Sequence, residues 1–408
     1  MILSLPIGLE QMPNNFCVIP WIHAATKTNG DARVCCLMSN HESGGLTGHN
    51  WAVDDAQTIL NSDIHKKIRL QLLSDEQPVE CNTCWVKERS GGGSRRKFSN
   101  RVFSHYTLAT AQEQTHTDGT IDATPEYWDI RFGNLCNLKC VMCGPQSSSM
   151  WYKDWAKVYD TDHFTDSGRT IYFDDKHQLD QTYNWWQSPA FWDALQENLH
   201  SIKHIYLVGG EPTIIEQHYE FLQMLVDAGV SKNITLEYDT NLTNVHTRAL
   251  DLWTNFEKLF LRLSVDDYGE QNDYIRYPSK WNIIERNIST LRNSIPDLRL
   301  EVSLTWQVLN AFTFIELLNF FKNDEVSIRI LSSPEFLDCA WLPATAKQDL
   351  ITLYEKHNVP DHLINYLQDT INDYDDQLHQ QFLSFCDKLD TIRNTNWRTV
   401  FVDLTKYI

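Results

Sequence analysis

The chain has 408 residues, of which 42% are apolar and 12% aromatic. It is therefore long enough for two or three domains with a large buried core, and its composition is not that of a disordered protein. Its 35 basic and 54 acidic residues leave a formal net charge of −19, which disfavours nucleic acid as a partner because the phosphate backbone is also negative. No apolar run reaches the length of a membrane span, and the first eleven residues lack the features of a signal peptide. These observations predict a cytoplasmic protein with no membrane partner.

The chain in order divides into four regions. Residues 1–90 hold five of the ten cysteines, and in a cytoplasmic protein such a number favours metal ligation or catalysis over disulfides. Residues 91–125 are polar and begin with a glycine run, so we predict a connector there. Residues 126–335 alternate short apolar strands with amphipathic helices, and residues 336–408 are predicted to be helical.

The alternating region predicts a parallel α/β architecture. Parallel strands need crossover connections, and helices between the strands supply them. A barrel-like sheet and an open doubly wound sheet both fit this pattern. The predicted strands are 127–132, 203–208, 233–239, 258–265, 298–308 and 326–332. The predicted helices are 147–158, 189–200, 215–228, 245–256, 280–293 and 311–322.

Three cysteines follow the first of these strands with the spacing C-x3-C-x2-C: Cys136, Cys140 and Cys143. A loop after a parallel strand lies at the carboxyl end of the sheet, where sites are commonly built. Three thiolates in one short loop can hold a four-iron cluster and leave one iron open. Zinc sites usually need a fourth ligand, and the sequence offers none nearby.

A second motif, Gly209-Gly210-Glu211-Pro212, follows the apolar run at 205–208. Two glycines let the backbone approach a ligand without a Cβ in the way, and the carboxylate can accept hydrogen bonds from an ammonium group. Proline stiffens the exit from the turn.

Together the two motifs resemble the radical S-adenosylmethionine (radical SAM) superfamily. The resemblance implies a partial (β/α)6 barrel, a [4Fe–4S] cluster on the three cysteines, and SAM bound at the open iron. It also implies an external electron donor such as flavodoxin or ferredoxin, and cleavage of SAM to a 5′-deoxyadenosyl radical that takes a hydrogen atom from the substrate.

The resemblance further implies roles in SAM binding beyond the GGEP motif. Met142 stands before the third cysteine, where the family often has an aromatic residue near the adenine. Polar residues at the ends of later strands would contact SAM, with strand capping as the alternative for each: Thr240, Asn241, Ser264, Asp266 and Asn310. Arg276 could bind a carboxylate or form a surface ion pair.

The N-terminal cysteines resemble the SPASM/twitch auxiliary-cluster module of the same superfamily, here placed before the barrel. The resemblance implies a second [4Fe–4S] cluster on four of them, with Cys35 as the alternative to Cys36 and a zinc site as the alternative metal. The implied ligands are Cys17, Cys36, Cys81 and Cys84.

Two cysteines remain. Cys386 lies in an apolar stripe of the C-terminal region and is predicted to be a buried small hydrophobe. Cys339 follows the sixth strand and is a candidate hydrogen-atom donor, because some radical SAM peptide epimerases use a thiol in this way.

The leading functional hypothesis is thus a radical SAM enzyme that modifies a peptide, for example by epimerisation or crosslinking. The alternatives are a radical SAM enzyme for a small-molecule or nucleotide-type metabolite, and a non-catalytic iron–sulfur electron carrier.

Overall fold

The computed structural model describes residues 15–38, 46–89, 93–122, 124–179, 183–295 and 298–408. The first eleven residues, which were expected not to be a signal peptide, lie outside these ranges. The glycines at 91 and 92, with which the predicted connector begins, also lie outside them. No described helix is both long and apolar enough to cross a membrane.

The described strands, in chain order, are β1 (His23–Thr26), β2 (Asp31–Arg33), β3 (Leu46–Asn50), β4 (Tyr127–Ile130), β5 (His163–Asp166), β6 (Arg169–Tyr172), β7 (His204–Leu207), β8 (Thr235–Thr240), β9 (Lys258–Ser264), β10 (Arg299–Trp306) and β11 (Glu325–Ile330).

The described α-helices are α1 (Ile19–Ile22), α2 (Ala56–Leu60), α3 (Asp63–Leu73), α4 (Asn82–Arg89), α5 (Arg95–Val102), α6 (Leu108–Gln114), α7 (Tyr152–Tyr159), α8 (Pro189–Asn198), α9 (Glu216–Asp227), α10 (Thr247–Trp253), α11 (Gly269–Ile275), α12 (Trp281–Ser294), α13 (Ile315–Phe320), α14 (Ala344–His357), α15 (Asp361–Asp369), α16 (Asp376–Arg393) and α17 (Trp397–Val400).

These elements fall into two compact units. The first comprises residues 1–133, 181–207 and 227–235, and the second comprises residues 134–180, 208–226 and 236–408. The six predicted strands and the alternating helices are confirmed, with ends shifted by a few residues. The mixed α/β class with parallel strands is therefore confirmed as well.

In the first unit the strands lie in the order β7-β4-β1-β2-β3. Strands β7, β4 and β1 are parallel, and their first residues, His204, Tyr127 and His23, lie side by side in register. Strands β2 and β3 extend the sheet by antiparallel pairing. The sequence analysis did not predict β1 to β3, because they are short and carry no clear alternation of apolar residues.

Two local differences from prediction concern the first 125 residues. The segment predicted as a connector carries α5 and α6, each with a side-chain N-cap, Ser94 and Thr107. Residues 56–73, for which the region 1–90 carried no stated helix, form two helices, α2 and α3, separated by Asn61 and Ser62.

In the second unit the strands lie in the order β11-β10-β9-β8, and β9, β10 and β11 are parallel. One face of these strands is apolar and buried, with Val302, Leu304 and Trp306 from β10 fully covered. The other face is polar, and Arg262 on β9 forms ion pairs with Glu237, Asp239 and Glu301 at 2.8, 2.7 and 3.4 Å. A parallel sheet normally buries apolar side chains on both faces, so this polar face is a departure from the usual pattern.

The helices of the second unit follow the predicted stripes. Ile284, Ile288 and Leu291 form the buried face of α12, and Phe382, Phe385 and Leu389 form that of α16. The predicted helical C-terminal region is therefore confirmed as α14 to α17.

Candidate functional site

The cysteine loop, residues 134–148, belongs to the second unit. Cys140 and Cys143 are in direct contact through their thiols, and the Cys143 amide donates to the Cys140 carbonyl at 3.0 Å. The thiol contact lowers the pKa of Cys140 and raises that of Cys143, since one sulfur donates to the other. The loop thus brings two of the three predicted ligands together.

Cys136 lies at the start of the same loop. Its sulfur accepts from the Leu138 amide at 3.4 Å, and the Asn241 side-chain amide lies 4.0 Å away. Burial raises the pKa of the Cys136 thiol to about 12, and the neighbouring Cys140 adds to this increase. A thiol in such a place needs a metal or a nearby positive charge to ionise.

The GGEP motif packs directly on the cysteine loop. The Glu211 amide donates to the Leu135 carbonyl at 2.8 Å. Gly210 has a φ of +58°, and a Cβ at this position would overlap the Leu135 carbonyl oxygen and lie 2.9 Å from its carbon. Glycine is therefore required at 210 both by its backbone conformation and by the closeness of the loop. Two motifs separated by more than sixty residues form one local structure.

The Glu211 carboxylate is 1% exposed and accepts hydrogen bonds on both oxygens. Oε1 accepts from the Thr213 amide and hydroxyl and from the Thr240 hydroxyl, and Oε2 accepts from the Asn241 amide at 2.7 Å. Burial raises the pKa of Glu211, and these hydrogen bonds oppose that shift. In the structure, the carboxylate predicted to accept from an ammonium group joins the GGEP turn to the end of β8.

Thr240 ends β8 and Asn241 follows it, and Asn241 reaches the cysteine loop as well. Its side-chain amide donates to the side-chain oxygen Oδ1 of Asn137 at 3.0 Å, and the side-chain amide of Asn137 donates to the Thr243 hydroxyl at 2.7 Å. The structure therefore brings both predicted residues next to Glu211, and it brings Asn241 next to Cys136.

Asp266, after β9, is fully buried and forms a two-point ion pair with Arg276 at 2.7 and 3.0 Å. It also accepts from the Thr305 amide at 2.8 Å. The positive charge of Arg276 acts on the thiols of Cys140 and Cys143, favouring their thiolate forms. Arg276 was expected either to bind a carboxylate of a ligand or to form a surface ion pair. In the structure it forms an ion pair, and this pair is buried.

Asn310 is also fully buried, and its amide donates to the carbonyls of Asp266 and Thr305 at 2.7 and 3.0 Å. Its own oxygen accepts from the Gln307 amide. Ser264 ends β9 opposite Ser303 of β10, and Met142 is half-buried within the cysteine loop. These hydrogen bonds to backbone groups agree with the strand-capping role that was the alternative for Asn310.

Cys339 and Cys386 take no part in the hydrogen bonds described above. Cys339 is 1% exposed, and burial raises its pKa well above the ordinary value, with Asp338 and Lys347 as its charged neighbours. Cys386 is fully buried on α16, which confirms the prediction for it.

In the first unit, four of the five N-terminal cysteines line one apolar cavity: Cys17, Cys35, Cys81 and Cys84. Burial raises the pKa of the Cys17 thiol to about 12, and the charge of Arg96 opposes this for both Cys17 and Cys81. Cys36 does not line the cavity. Its pKa is lowered to about 6 by the hydrogen bond from the Cys35 thiol, and its charged neighbours are Asp129, Arg95 and Arg131.

Within the described part of the chain, no three His, Cys, Asp or Glu side chains are disposed to hold a metal ion. A single zinc ion draws its ligands to one point at about 2.3 Å from sulfur. A four-iron cluster instead takes its thiolates on separate iron atoms. By donor chemistry and number, the three thiols of the cysteine loop fit a four-iron cluster with one open iron, and the four cavity cysteines fit either a four-iron cluster or a zinc ion.

The sequence analysis missed several residues around the cysteine loop. The Trp151 indole donates to the Cys140 carbonyl at 2.9 Å, and Arg393 on α16 binds Asp154 at 2.9 Å. No local sequence signal marks these side chains, because Arg393 and Asp154 are separated by 239 residues.

No family model and no curated protein matches the chain. Among solved structures, it is similar to anSMEcpe with bound AdoMet at 13% identity and a TM-score of 0.35, over 54% of each chain. It is also similar to SuiB of Streptococcus suis bound to S-adenosylmethionine at 12% identity and a TM-score of 0.37, over 73% of this chain and 59% of SuiB. A SuiB structure bound to the precursor peptide SuiA gives 12% identity and a TM-score of 0.36, over 75% of this chain and 61% of SuiB.

The chain thus spans between about half and three fifths of the length of these structures. The first two of these structures hold bound AdoMet or S-adenosylmethionine, the ligand that the two motifs predict for this chain.

Proposed function

We propose that the chain is a radical SAM enzyme whose active site is the cysteine loop together with the GGEP turn, in a partial (β/α)6 barrel. The observation that carries the proposal is the close packing of Gly210 and Glu211 on Leu135, which joins the two motifs at the carboxyl ends of parallel strands. Cys136, Cys140 and Cys143 would hold a [4Fe–4S] cluster. When bound, such a cluster would supply the electron for reductive cleavage of SAM to methionine and a 5′-deoxyadenosyl radical, the species that would take a hydrogen atom from the substrate.

The chain's own residues would bind and orient SAM in this site. Gly209 leaves the turn without a side chain, so that SAM could approach the backbone there, and Gly210 lets the turn pack on Leu135. Glu211 holds this turn against Thr240 and Asn241, and Asn241 reaches the Cys136 sulfur. We retain Pro212, Met142, Ser264, Asp266 and Asn310 as proposed members of the site, with Glu211, Asp266 and Asn310 acting mainly through the backbone that they hold.

The test is cleavage of SAM by anaerobically reconstituted protein supplied with a one-electron reductant. We expect 5′-deoxyadenosine and methionine in equal amounts, and neither from the Cys140→Ala variant. Cys386→Ala is the matched control, because Cys386 is also a buried cysteine and lies outside the site. Protein with four bound irons on the loop that never cleaves SAM would revive the electron-carrier alternative.

The N-terminal cavity is proposed to hold a second [4Fe–4S] cluster. The support is the convergence of Cys17, Cys35, Cys81 and Cys84 on one apolar cavity, which favours Cys35 over Cys36 as a ligand. Metal analysis of a variant with Cys136, Cys140 and Cys143 all replaced by Ala separates the alternatives. About four residual irons per chain would support the second cluster, whereas one zinc and no iron would make the site structural.

The substrate is proposed to be a peptide, since the N-terminal cysteines resemble a module frequent in peptide-modifying members. A flavodoxin- or ferredoxin-type donor would supply the electron, and the cytoplasm is the proposed location. Candidate peptides would be tested by a mass shift or by deuterium uptake in heavy water. Cys339→Ala tests the hydrogen-donor proposal: loss of epimerised product with retained 5′-deoxyadenosine would support it, and unchanged epimerisation would contradict it.

A further inference from the structure

Two cations share one buried carboxylate beside the cysteine loop. The Lys139 ammonium lies 2.8 Å from Asp154 Oδ1, and the Arg393 Nε lies 2.9 Å from Asp154 Oδ2. The side chains of Lys139, Asp154 and Arg393 are 15%, 4% and 2% exposed. This group of three therefore carries a formal excess of one positive charge, nearly out of contact with water.

Arg393 is the more deeply buried of the two cations. Its guanidinium lies over the rings of Trp151 and Tyr277, at 4.9 and 5.2 Å from their centroids. The Nη2 atom of this guanidinium has no hydrogen-bond partner among the described residues. A buried charge left without a full set of partners is costly, so an anion that offsets it is to be expected close by.

The excess charge sits on the loop that carries the cysteines. Lys139 directly precedes Cys140, and its amide donates to the Tyr277 carbonyl at 2.7 Å. Trp151, under the Arg393 guanidinium, donates to the Cys140 carbonyl at 2.9 Å. The nearby Arg276 is paired with Asp266 and adds no excess charge.

We propose that Arg393 is a positioning residue for the cluster on Cys136, Cys140 and Cys143. Helix α16 carries Arg393 to this site, where its positive charge offsets the negative charge of the cluster and its thiolates. This charge favours the reduced form of the cluster. The inference rests on the proposed function. Three thiolates make the bound cluster anionic, and reduction adds one more negative charge. A fixed cation in a low-dielectric site stabilises the more negative state more strongly.

The experiment is a redox titration of the reconstituted holoenzyme, following the electron paramagnetic resonance signal that changes when SAM is added. Arg393→Gln removes the charge, and Arg393→Lys keeps it. Asp154→Asn removes the carboxylate that offsets it. Arg398→Gln is the control, since Arg398 is a half-exposed arginine paired with Asp387.

In Arg393→Gln we expect the ratio of reduced to oxidised cluster at a fixed potential to fall at least tenfold, which is about 59 mV for a one-electron couple. Arg393→Lys and the control should stay near wild type. Asp154→Asn should move the ratio in the opposite direction, because it increases the excess positive charge. A purely structural role for Arg393 does not produce this reversal of sign.

Equal ratios in Arg393→Gln, Asp154→Asn and wild type, at full iron content, would overturn the inference. If Arg393→Gln loses its iron while Arg393→Lys retains it, the charge is again supported. If both lose it, the shape of the side chain matters and the inference fails. Wild-type protein without any SAM-responsive signal would instead refute the proposed function itself.

Discussion

Gly210→Ala tests the packing of the GGEP turn on the cysteine loop. The new Cβ would overlap the Leu135 carbonyl oxygen and lie 3.1 Å from the Asn134 carbonyl carbon, so the backbone on one side must move. That movement breaks the hydrogen bond from Glu211 to Leu135, which is worth about 1 kcal/mol. The left-handed conformation adds about 1–2 kcal/mol for any residue with a Cβ. We expect the free energy of unfolding to fall by about 2–3 kcal/mol.

Gly168→Ala is the matched control. Gly168 has a φ of +75° in the same unit, and a Cβ there would have no atom within 4 Å. This variant should lose only the conformational part, about 1–2 kcal/mol. The assay is urea unfolding of both variants together with iron content after reconstitution. If Gly210→Ala is as stable as Gly168→Ala and binds iron as wild type does, the close approach does not organise the loop and the reasoning is wrong.

Three further predictions concern other parts of the chain. Burial raises the pKa of Asp267 to about 8, so the free energy of unfolding should fall as pH rises from about 4 to about 8, by up to about 1.4 kcal/mol per pH unit. Urea titrations at several pH values should show this slope for the wild type and no such slope for Asp267→Asn. Arg69 is fully buried and donates to the carbonyls of residues 20, 60 and 119, so Arg69→Met should lower the unfolding free energy by at least about 3 kcal/mol, whereas the exposed Arg101→Met should change it little. Cys35→Ala should lose metal from the N-terminal cavity and Cys36→Ala should retain it; the reverse result in metal analysis would restore Cys36 as the ligand.

For Asp267 the sign follows from proton binding. Between pH 4 and pH 8 the folded carboxyl group keeps its proton and the unfolded one has lost it. The unfolded state therefore binds fewer protons, and stability falls as pH rises. The contribution of Asp267 to stability is fully present below the pKa of the unfolded state, and it is lost as pH rises through the pKa of the folded state.

The parts of this protein that the sequence alone determined are those encoded over short distances along the chain. Three cysteines within eight residues must be near one another in any compact fold, and the period of the apolar residues predicted the strands and helices around them. Glycine at 210 was recognisable as a backbone requirement from its motif. Its partner, Leu135, was not recognisable, because that contact depends on how two loops meet.

Tertiary structure decided what depends on side-chain direction and on contacts between distant segments. Cys35 and Cys36 are adjacent, and only the folded chain shows that the first lines the apolar cavity, whereas the second accepts a hydrogen bond from the Cys35 thiol and has Asp129 and Arg131 as charged neighbours. Polar residues at strand ends could have faced a ligand or the protein, and in the structure Asp266 and Asn310 are bound to neighbouring protein groups. The pairing of Arg393 with Asp154 has no trace in the sequence, because burial and charge balance arise only when segments 239 residues apart pack together.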